Sequence, residues 1–220
     1  MKRRTLDTLF SVGGIAFAGL LLILGLVMTS NANFASNYVT DQLSQQHITF
    51  KTADTLTDEE KQSANLVKYA GQPLTTGKQA EVYANEFIGL HVRNTANANG
   101  MTYAELGVPQ SELRTQVAAA QKANDPALPA LQKQLADITA ARETVFKGET
   151  LRGLLLTSFG FSEMGSKAAQ AATVAYIAAA ILALLSIAGL AHAARTPKTV
   201  PFAAPEPASK VRAREQLAGI

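Results

Sequence analysis

Two long runs of apolar residues dominate the hydrophobic pattern of the chain. The first covers residues 9–28 and contains no charged side chain, and the second covers residues 168–191, where Gln170 is the one strongly polar residue. A helix of about 20 residues is about 30 Å long, which matches the hydrocarbon core of a bilayer. The pattern therefore predicts two transmembrane helices, at 9–29 and 168–191.

The first run also fits a second interpretation, a cleaved signal peptide. Lys2, Arg3 and Arg4 precede the run, and residues 30–32 would provide a cleavage site. The apolar part of a signal peptide is usually about 7–15 residues long, which is shorter than this run. We therefore favour an uncleaved membrane anchor.

The charges that flank the two runs predict how the chain is oriented. Residues 1–8 carry a net charge of +2, residues 192–220 carry +3, and the 138 residues of 30–167 carry −2. Short positive flanks stay in the cytoplasm, whereas a long loop crosses the membrane regardless of its charge. We therefore expect a membrane protein with both termini in the cytoplasm and residues 30–167 outside it.

The section outside the membrane shows helical periodicity and no sustained alternation of apolar and polar residues. The sequence TDEE at 57–60 matches a capping box that opens a helix, and Gly71 matches its end. A second helix is predicted at 77–93, a third begins near Pro109, and a fourth and a fifth are separated by Lys147 and Gly148. Residues 34–46 would extend the first span outward, and residues 48–50 form a short extended piece.

These elements together predict an all-α membrane protein, with two transmembrane helices flanking a mainly helical extracytoplasmic domain at 30–167. The N-terminus at 1–8 is short. The tail at 192–220 is basic and rich in proline, with either a short basic helix at 208–217 or no fixed structure.

Small residues in the two runs predict a face for close helix packing, because small side chains let helix backbones approach each other. The residues of this predicted face are Gly14, Ala18, Gly25, Ala171, Ala175, Ala179 and Ala183. The face would pack either between the two spans or against a larger membrane complex. Neither span has an ionisable group near its middle, which argues against a proton or ion path through this chain.

Composition removes several classes of function. The chain has no cysteine, so it has no disulfide, thiolate metal site or cysteine nucleophile. Its pI of about 9.2 reflects the basic flanks, and no basic cluster with interleaved aromatic residues predicts a nucleic-acid partner. No catalytic or nucleotide-binding motif is present, and we expect no enzyme activity, metal or cofactor.

Four polar or aromatic residues remain as candidates for an interaction or ligand site. His91 ends the apolar face of the second predicted helix, and Tyr83 lies on the same face. His91 reads first as a hydrogen-bonded packing residue, but together with Tyr83 it would also orient a bound ligand. Glu149 and Arg152 are three residues apart and would pair on a helix surface, as a helix edge or as part of a docking surface.

Three motifs and the two spans around them carry a resemblance to a known family. The motifs are YANEFIGLH at 83–91, TYAELG at 102–107 and FKGETLRGLLL at 146–156. Over most of its length the chain resembles a family of two-span membrane proteins from actinobacteria, whose motifs have no known chemistry attached. Some members have been named aromatic ring-opening dioxygenases. This sequence does not support that name, because such enzymes commonly need two histidines and a carboxylate on iron, and nothing pairs His47 with His91.

The sequence therefore favours a non-catalytic accessory or scaffold subunit of a cytoplasmic-membrane complex, such as a respiratory or cell-envelope assembly. Such a subunit would bind a membrane-protein partner through its spans and its extracytoplasmic domain. The alternative is an anchored domain that binds or senses a lipid or a quinone. A cavity of several hundred Å3 between the helices would favour the alternative, and a solid core would disfavour it.

Overall fold

A computed structural model describes residues 2–201, and over this range the chain is helical with no β-strand. The α-helices are α1 (Arg3–Ser44), α2 (Ala64–Tyr69), α3 (Gly77–Val82), α4 (Gly89–Arg93), α5 (Gly107–Ala123) and α6 (Leu128–Arg195). A short 3-10 helix covers Glu60–Gln62, and a π-helix covers Tyr83–Ile88. The prediction of a helical chain with two long apolar helices is confirmed for these residues.

The described residues form two compact units. Unit 1 contains the residues up to Asn31 and those from Ala168 onward, and unit 2 is Ala32–Lys167. The boundaries of unit 2 lie within two residues of the predicted domain at 30–167. The predicted basic helix at 208–217 lies outside the described residues.

Helix α1 continues well past the first apolar run. It contains no proline, and after the run its buried residues Ala32, Ala35, Val39 and Leu43 recur every three or four residues. This spacing keeps one face of the helix against the interior of unit 2. The predicted outward extension over 34–46 is therefore confirmed to Ser44.

Helix α6 joins three predicted elements, because the fourth and fifth helices and the second apolar run form one helix of 68 residues. Pro129 lies in the first turn, where no backbone N–H is needed for helix bonding. The predicted break at Lys147 and Gly148 is wrong. A Cβ atom at Gly148 would collide with the side chain of Val92, so the glycine permits close packing here and does not end the helix.

The first predicted helix of unit 2 is two short helices. The capping box is present, since the Glu60 backbone N–H donates to Thr57 Oγ1 and the Thr57 N–H donates to the Glu60 carboxylate. Ser63 then adopts an extended conformation and caps α2 by accepting a hydrogen bond from the Leu66 N–H. A new N-cap therefore interrupts what the sequence pattern predicted as one helix.

The second predicted helix is confirmed at 77–93 as one helical stretch, α3 followed by the π-helix and α4. Helix α5 begins at Gly107, two residues before Pro109, and ends where Asn124 adopts a left-handed conformation. The extended piece at 48–50 makes one isolated β-bridge, from Thr49 to Pro73.

Unit 2 has two apolar clusters rather than a single core. The first contains Val39, Leu43, Phe50, Leu66, Leu74, Ala80, Val82, Ala84 and Leu155. The second contains Ala98, Leu106, Ile138, Ala141 and Val145. Leu155 of α6 belongs to the first cluster and Val145 to the second, so this helix contributes to both.

Unit 1 is an antiparallel pair of helices with small residues between them. Gly14 lies against Ser186, Gly25 lies against the ring of Tyr176, and a Cβ atom at either glycine would collide with that neighbour. The Thr29 and Tyr176 hydroxyls are 3.0 Å apart and share a hydrogen bond. The small side chains therefore face the neighbouring helix of the same unit.

The packing face differs from the predicted one in α6. Ala175 and Ala179 are buried, but Ala171 is exposed and Ala183 is only half-buried, whereas Ala172, Ser186 and Ala193 are buried. A strict four-residue step advances around the helix by about 40° each time, whereas steps of four and three residues in alternation stay on one face. In α1, Gly14, Ala18 and Gly25 follow the alternating spacing.

The outer side of unit 1 is apolar. Its exposed residues include Phe10, Phe17, Leu20, Leu26, Val174, Ile181, Leu184 and Leu185. Small and hydroxyl-bearing residues face inward and large apolar residues face outward, which is the reverse of a water-soluble helix pair. The chain thus has two helices that are long and apolar enough to cross a membrane.

Candidate binding groove

Unit 2 contains a groove of about 720 Å3, which we call the apolar groove. Its apolar lining residues are Val39, Leu43, Ile48, Phe87, Ile88, Leu151, Leu154, Leu155 and Phe161. Its polar lining residues are Tyr38, Gln42, Gln46, Tyr83, Thr157 and Ser158. None of these side chains carries a charge, and the volume falls within the usual range for small-molecule sites, about 300–1,000 Å3.

Three segments build the walls: the end of α1, the π-helix and the middle of α6. The α6 residues Leu151, Leu154, Leu155, Ser158 and Phe161 recur at helical spacing on one face. That face would normally be covered by another helix. In unit 2 it is only partly covered, and Leu154 keeps 62% of its surface exposed.

The π-helix supplies the aromatic wall of the groove. Tyr83 and Phe87 have ring centroids 4.7 Å apart, and Tyr83 also meets the ring of Phe50 edge-on at 5.2 Å. π-helical turns are rare and occur frequently at functional sites. This turn brings Tyr83, Phe87 and Ile88 together on the groove, whereas a regular α-helix would separate Tyr83 and Ile88 by about 140°.

Several polar groups of the groove are free to bind a ligand. Over the described range, no side-chain hydrogen bond is made by Tyr83, Gln42 or Gln46. Thr157 and Ser158 instead donate to the carbonyls of Gly153 and Leu154 in their own helix, which leaves their oxygen atoms able to accept. The groove therefore offers hydroxyl and amide donors in an otherwise apolar lining.

The surroundings of Tyr83 make ionisation of its hydroxyl less favourable. Burial raises the pKa of Tyr83, and the nearby negative charge of Glu60 raises it further. At neutral pH this hydroxyl is a neutral hydrogen-bond donor.

Glu60 is a buried carboxylate at the centre of a polar cluster next to the aromatic wall. Its side chain is completely buried, Lys51 Nζ lies 2.8 and 3.1 Å from its two oxygens, and His91 Nε2 lies 2.8 Å from Oε1. Burial alone would raise the pKa of Glu60, but hydrogen bonds from Lys51, Thr57 and His91 and the charge of Lys51 lower it to about 2. Glu60 is therefore an anion at neutral pH and ties the loop before it to α4.

His91 lies in a different cavity from Tyr83. It lines a smaller space of about 390 Å3 together with Lys51, Val92 and Thr95, and its side chain is 49% exposed. Phe87 separates the two residues, because its ring contacts both Tyr83 and His91. The prediction that Tyr83 and His91 orient the same ligand is not supported by this placement. As a packing residue, His91 is hydrogen-bonded as predicted but only half-buried.

Glu149 and Arg152 pair as their spacing predicts, at 3.0 Å. Arg152 Nη2 also donates to Asn85 Oδ1 at 3.2 Å, which connects α6 with the π-helix. The pair thus lies beside the groove and holds its wall, and neither residue lines it. Asn85 had no signal in the sequence beyond its place in the motif YANEFIGLH.

The acidic residues 58–60 lie at the start of the 3-10 helix of unit 2. Asp58 and Glu59 precede this helix and are exposed, whereas Glu60 is its first-turn acid and is buried in contact with Lys51 and His91. Over residues 2–201, no group of three or more His, Asp or Glu side chains is close enough to hold a metal ion.

Most residues of the groove, including Tyr38, Gln42, Leu154 and Phe161, were not predicted from the sequence. The sequence did contain a signal for the groove: the apolar face of 151–161 and the apolar residues at 39 and 43. No other predicted element covered these positions.

Compared with models of protein families, with curated proteins and with solved structures, the chain gives no match.

Proposed function

We propose that this protein is a membrane-anchored, non-catalytic binding protein whose unit 2 holds the hydrocarbon chain of a lipid or a quinone. The observation that carries this proposal is the apolar groove, with about 720 Å3 of space, a charge-free lining and hydroxyl and amide groups at its wall. This is the alternative interpretation of the sequence, which required a cavity of several hundred Å3.

The anchor in this proposal is unit 1. Its two helices would span the bacterial cytoplasmic membrane, with both termini in the cytoplasm and residues 30–167 outside, as the charges of the flanks predict. Tyr38 follows the first apolar run by ten residues in α1, and Phe161 precedes the second by seven residues in α6. These short chain separations support a ligand that comes from the bilayer.

A substitution that fills the groove tests this proposal. Ser158→Phe places an aromatic ring in the groove and is expected to lower the amount of bound lipid or quinone about tenfold or more. The bound molecules would be extracted with organic solvent from the full chain, purified in mild detergent, and quantified by mass spectrometry.

Thr150→Phe provides the matched control, because Thr150 is exposed on α6, does not line the groove and makes the same type of hydroxyl-to-carbonyl bond as Ser158. Equal amounts of ligand in wild type and in Ser158→Phe would contradict the proposal, as would a wild-type protein that carries no lipid or quinone.

A second candidate is an accessory or scaffold subunit that binds a membrane-protein partner in a respiratory or cell-envelope complex. The observation that favours it is the apolar rim of the groove, where Leu151, Leu154 and Phe161 are 52%, 62% and 41% exposed. The small-residue face of unit 1 supports it less, because that face is occupied within the unit. A stoichiometric protein that co-purifies with wild type and is lost with Leu154→Ser would favour this candidate.

Membership of the actinobacterial two-span family stays a prediction from the three motifs. The three motifs indicate no catalytic step, and neither candidate function requires one.

A further inference from the structure

A groove that takes its ligand from a bilayer needs more than apolar surface. Lipid tails are as apolar as the leucine side chains that line the groove, so a hydrocarbon chain gains little from the hydrophobic effect when it leaves the bilayer. The additional free energy must come from packing and from hydrogen bonds. The hydrogen-bonding groups of the groove therefore decide which head group is retained.

Three of these groups are side chains that can donate a hydrogen bond to a ligand. Tyr83 contributes a hydroxyl, and Gln42 and Gln46 contribute amide groups, and none of the three makes a side-chain hydrogen bond over residues 2–201. Tyr83 is the most enclosed of the three. A ligand head that carries an acceptor oxygen would satisfy these donors.

Among the described residues, the lining of the groove has no cation that would pair with an anionic head. Lys51 lines the smaller cavity instead and is already bound to both oxygens of Glu60. Arg152, which is next to Leu151 in sequence, does not line the groove. Its terminal nitrogens are paired with Glu149 and Asn85, and its Nε is buried without a hydrogen-bond partner over the described range. The negative charge of Glu60 acts on Tyr83 itself, where it disfavours the anionic form of the phenol. A carboxylate or phosphate placed there would lose its hydration without a compensating charge.

We infer that the ligand is a neutral amphiphile with one long hydrocarbon chain and an oxygen-bearing head, and that the Tyr83 hydroxyl donates a hydrogen bond to that head. Quinones and monoacylglycerols belong to this class, whereas fatty acids and phospholipids do not. The inference rests on the proposed function, because it assigns the head group of a ligand whose chain occupies the apolar groove.

Three probes with the same length of hydrocarbon chain test the inference: monopalmitoylglycerol, palmitate and hexadecane. Their binding to the full-length protein in detergent would be measured by native mass spectrometry at a pH at which palmitate is ionised. Monopalmitoylglycerol is expected to bind about tenfold more tightly than palmitate. Equal binding of these two probes would overturn the inference and leave the proposed function intact. Binding of none of the three would overturn the proposed function and the inference with it.

Tyr83→Phe separates the hydroxyl from the ring. The variant keeps the aromatic contacts with Phe50 and Phe87 and is expected to bind monopalmitoylglycerol about fivefold more weakly, with hexadecane unchanged. Tyr69→Phe is the matched control, since Tyr69 also packs on Phe50 but does not line the groove. If Tyr83→Phe and Tyr69→Phe have the same effect on monopalmitoylglycerol, the assignment of Tyr83 fails.

Discussion

Glu60 shows at the residue scale how one buried carboxylate organises its surroundings. It accepts hydrogen bonds from Lys51, from the Thr57 backbone and from His91, and these three groups come from different parts of unit 2. A buried charge is tolerated when it is paired and fully hydrogen-bonded, and removal of one partner is costly. Glu60 therefore stabilises the fold next to the aromatic wall without contacting the groove.

The pKa of Glu60 predicts how stability depends on pH. The folded-state pKa is lowered from 4.5 to about 2, so the carboxylate stabilises the folded state fully above pH 4.5 and loses that contribution as the pH falls towards 2. The thermal midpoint of the full chain in detergent, followed by circular dichroism, should fall over this range.

Glu60→Gln should lower the stability by about 1–3 kcal/mol at neutral pH, because it leaves the Lys51 charge without its partner. The difference between variant and wild type should shrink as the pH falls towards 2. Glu112→Gln is the control, since Glu112 is exposed and makes no ion pair within the described range. A Glu60→Gln midpoint equal to that of wild type at neutral pH would contradict this role.

At the scale of the elements, two glycines inside α6 have different surroundings. Gly148 lies against Val92, whereas a Cβ atom at Gly153, one and a half turns further on, would meet nothing within 4 Å. A glycine in a helix interior costs about 1 kcal/mol relative to alanine. At Gly148 this cost is offset by the close approach of α4, and at Gly153 the described structure gives no packing reason for the glycine.

The two glycines therefore predict opposite effects of the same substitution. Gly148→Ala should destabilise the protein by about 1–3 kcal/mol, because the added methyl group forces Val92 or a helix to move. Gly153→Ala should stabilise it by up to about 1 kcal/mol, because it only raises helix propensity. Thermal unfolding of the two variants measures both changes, and a stabilising Gly148→Ala would show that the close contact is not maintained in solution.

At the scale of the whole molecule, the absence of cysteine allows a direct test of the proposed topology. Ser111 is exposed on α5 of unit 2, and Thr199 is exposed after α6. In intact bacteria, a membrane-impermeant maleimide should label Ser111→Cys, because residues 30–167 are proposed to lie outside the cytoplasm. It should label Thr199→Cys only after the cells are opened. The reverse pattern would show that the orientation is inverted.

The sequence by itself determined the two apolar helices, the helical character of the rest and the capping box at Thr57. Apolar run length, helical periodicity and capping depend on residues that are close together in the chain. The sequence also placed Glu149 beside Arg152, because residues three apart in a helix are neighbours.

Only the tertiary structure decided the groove and the partners of its walls. Arg152 meets Asn85, and His91 meets Glu60, across 67 and 31 positions of the chain that no local pattern relates. Lys51 meets Glu60 across nine residues that no helical periodicity relates. The register of the small residues in unit 1 was likewise set by the neighbouring helix, which selected Ala172 in place of Ala171. A cavity is a space that packed helices leave between them, so its position and its charge-free lining follow from how distant segments pack.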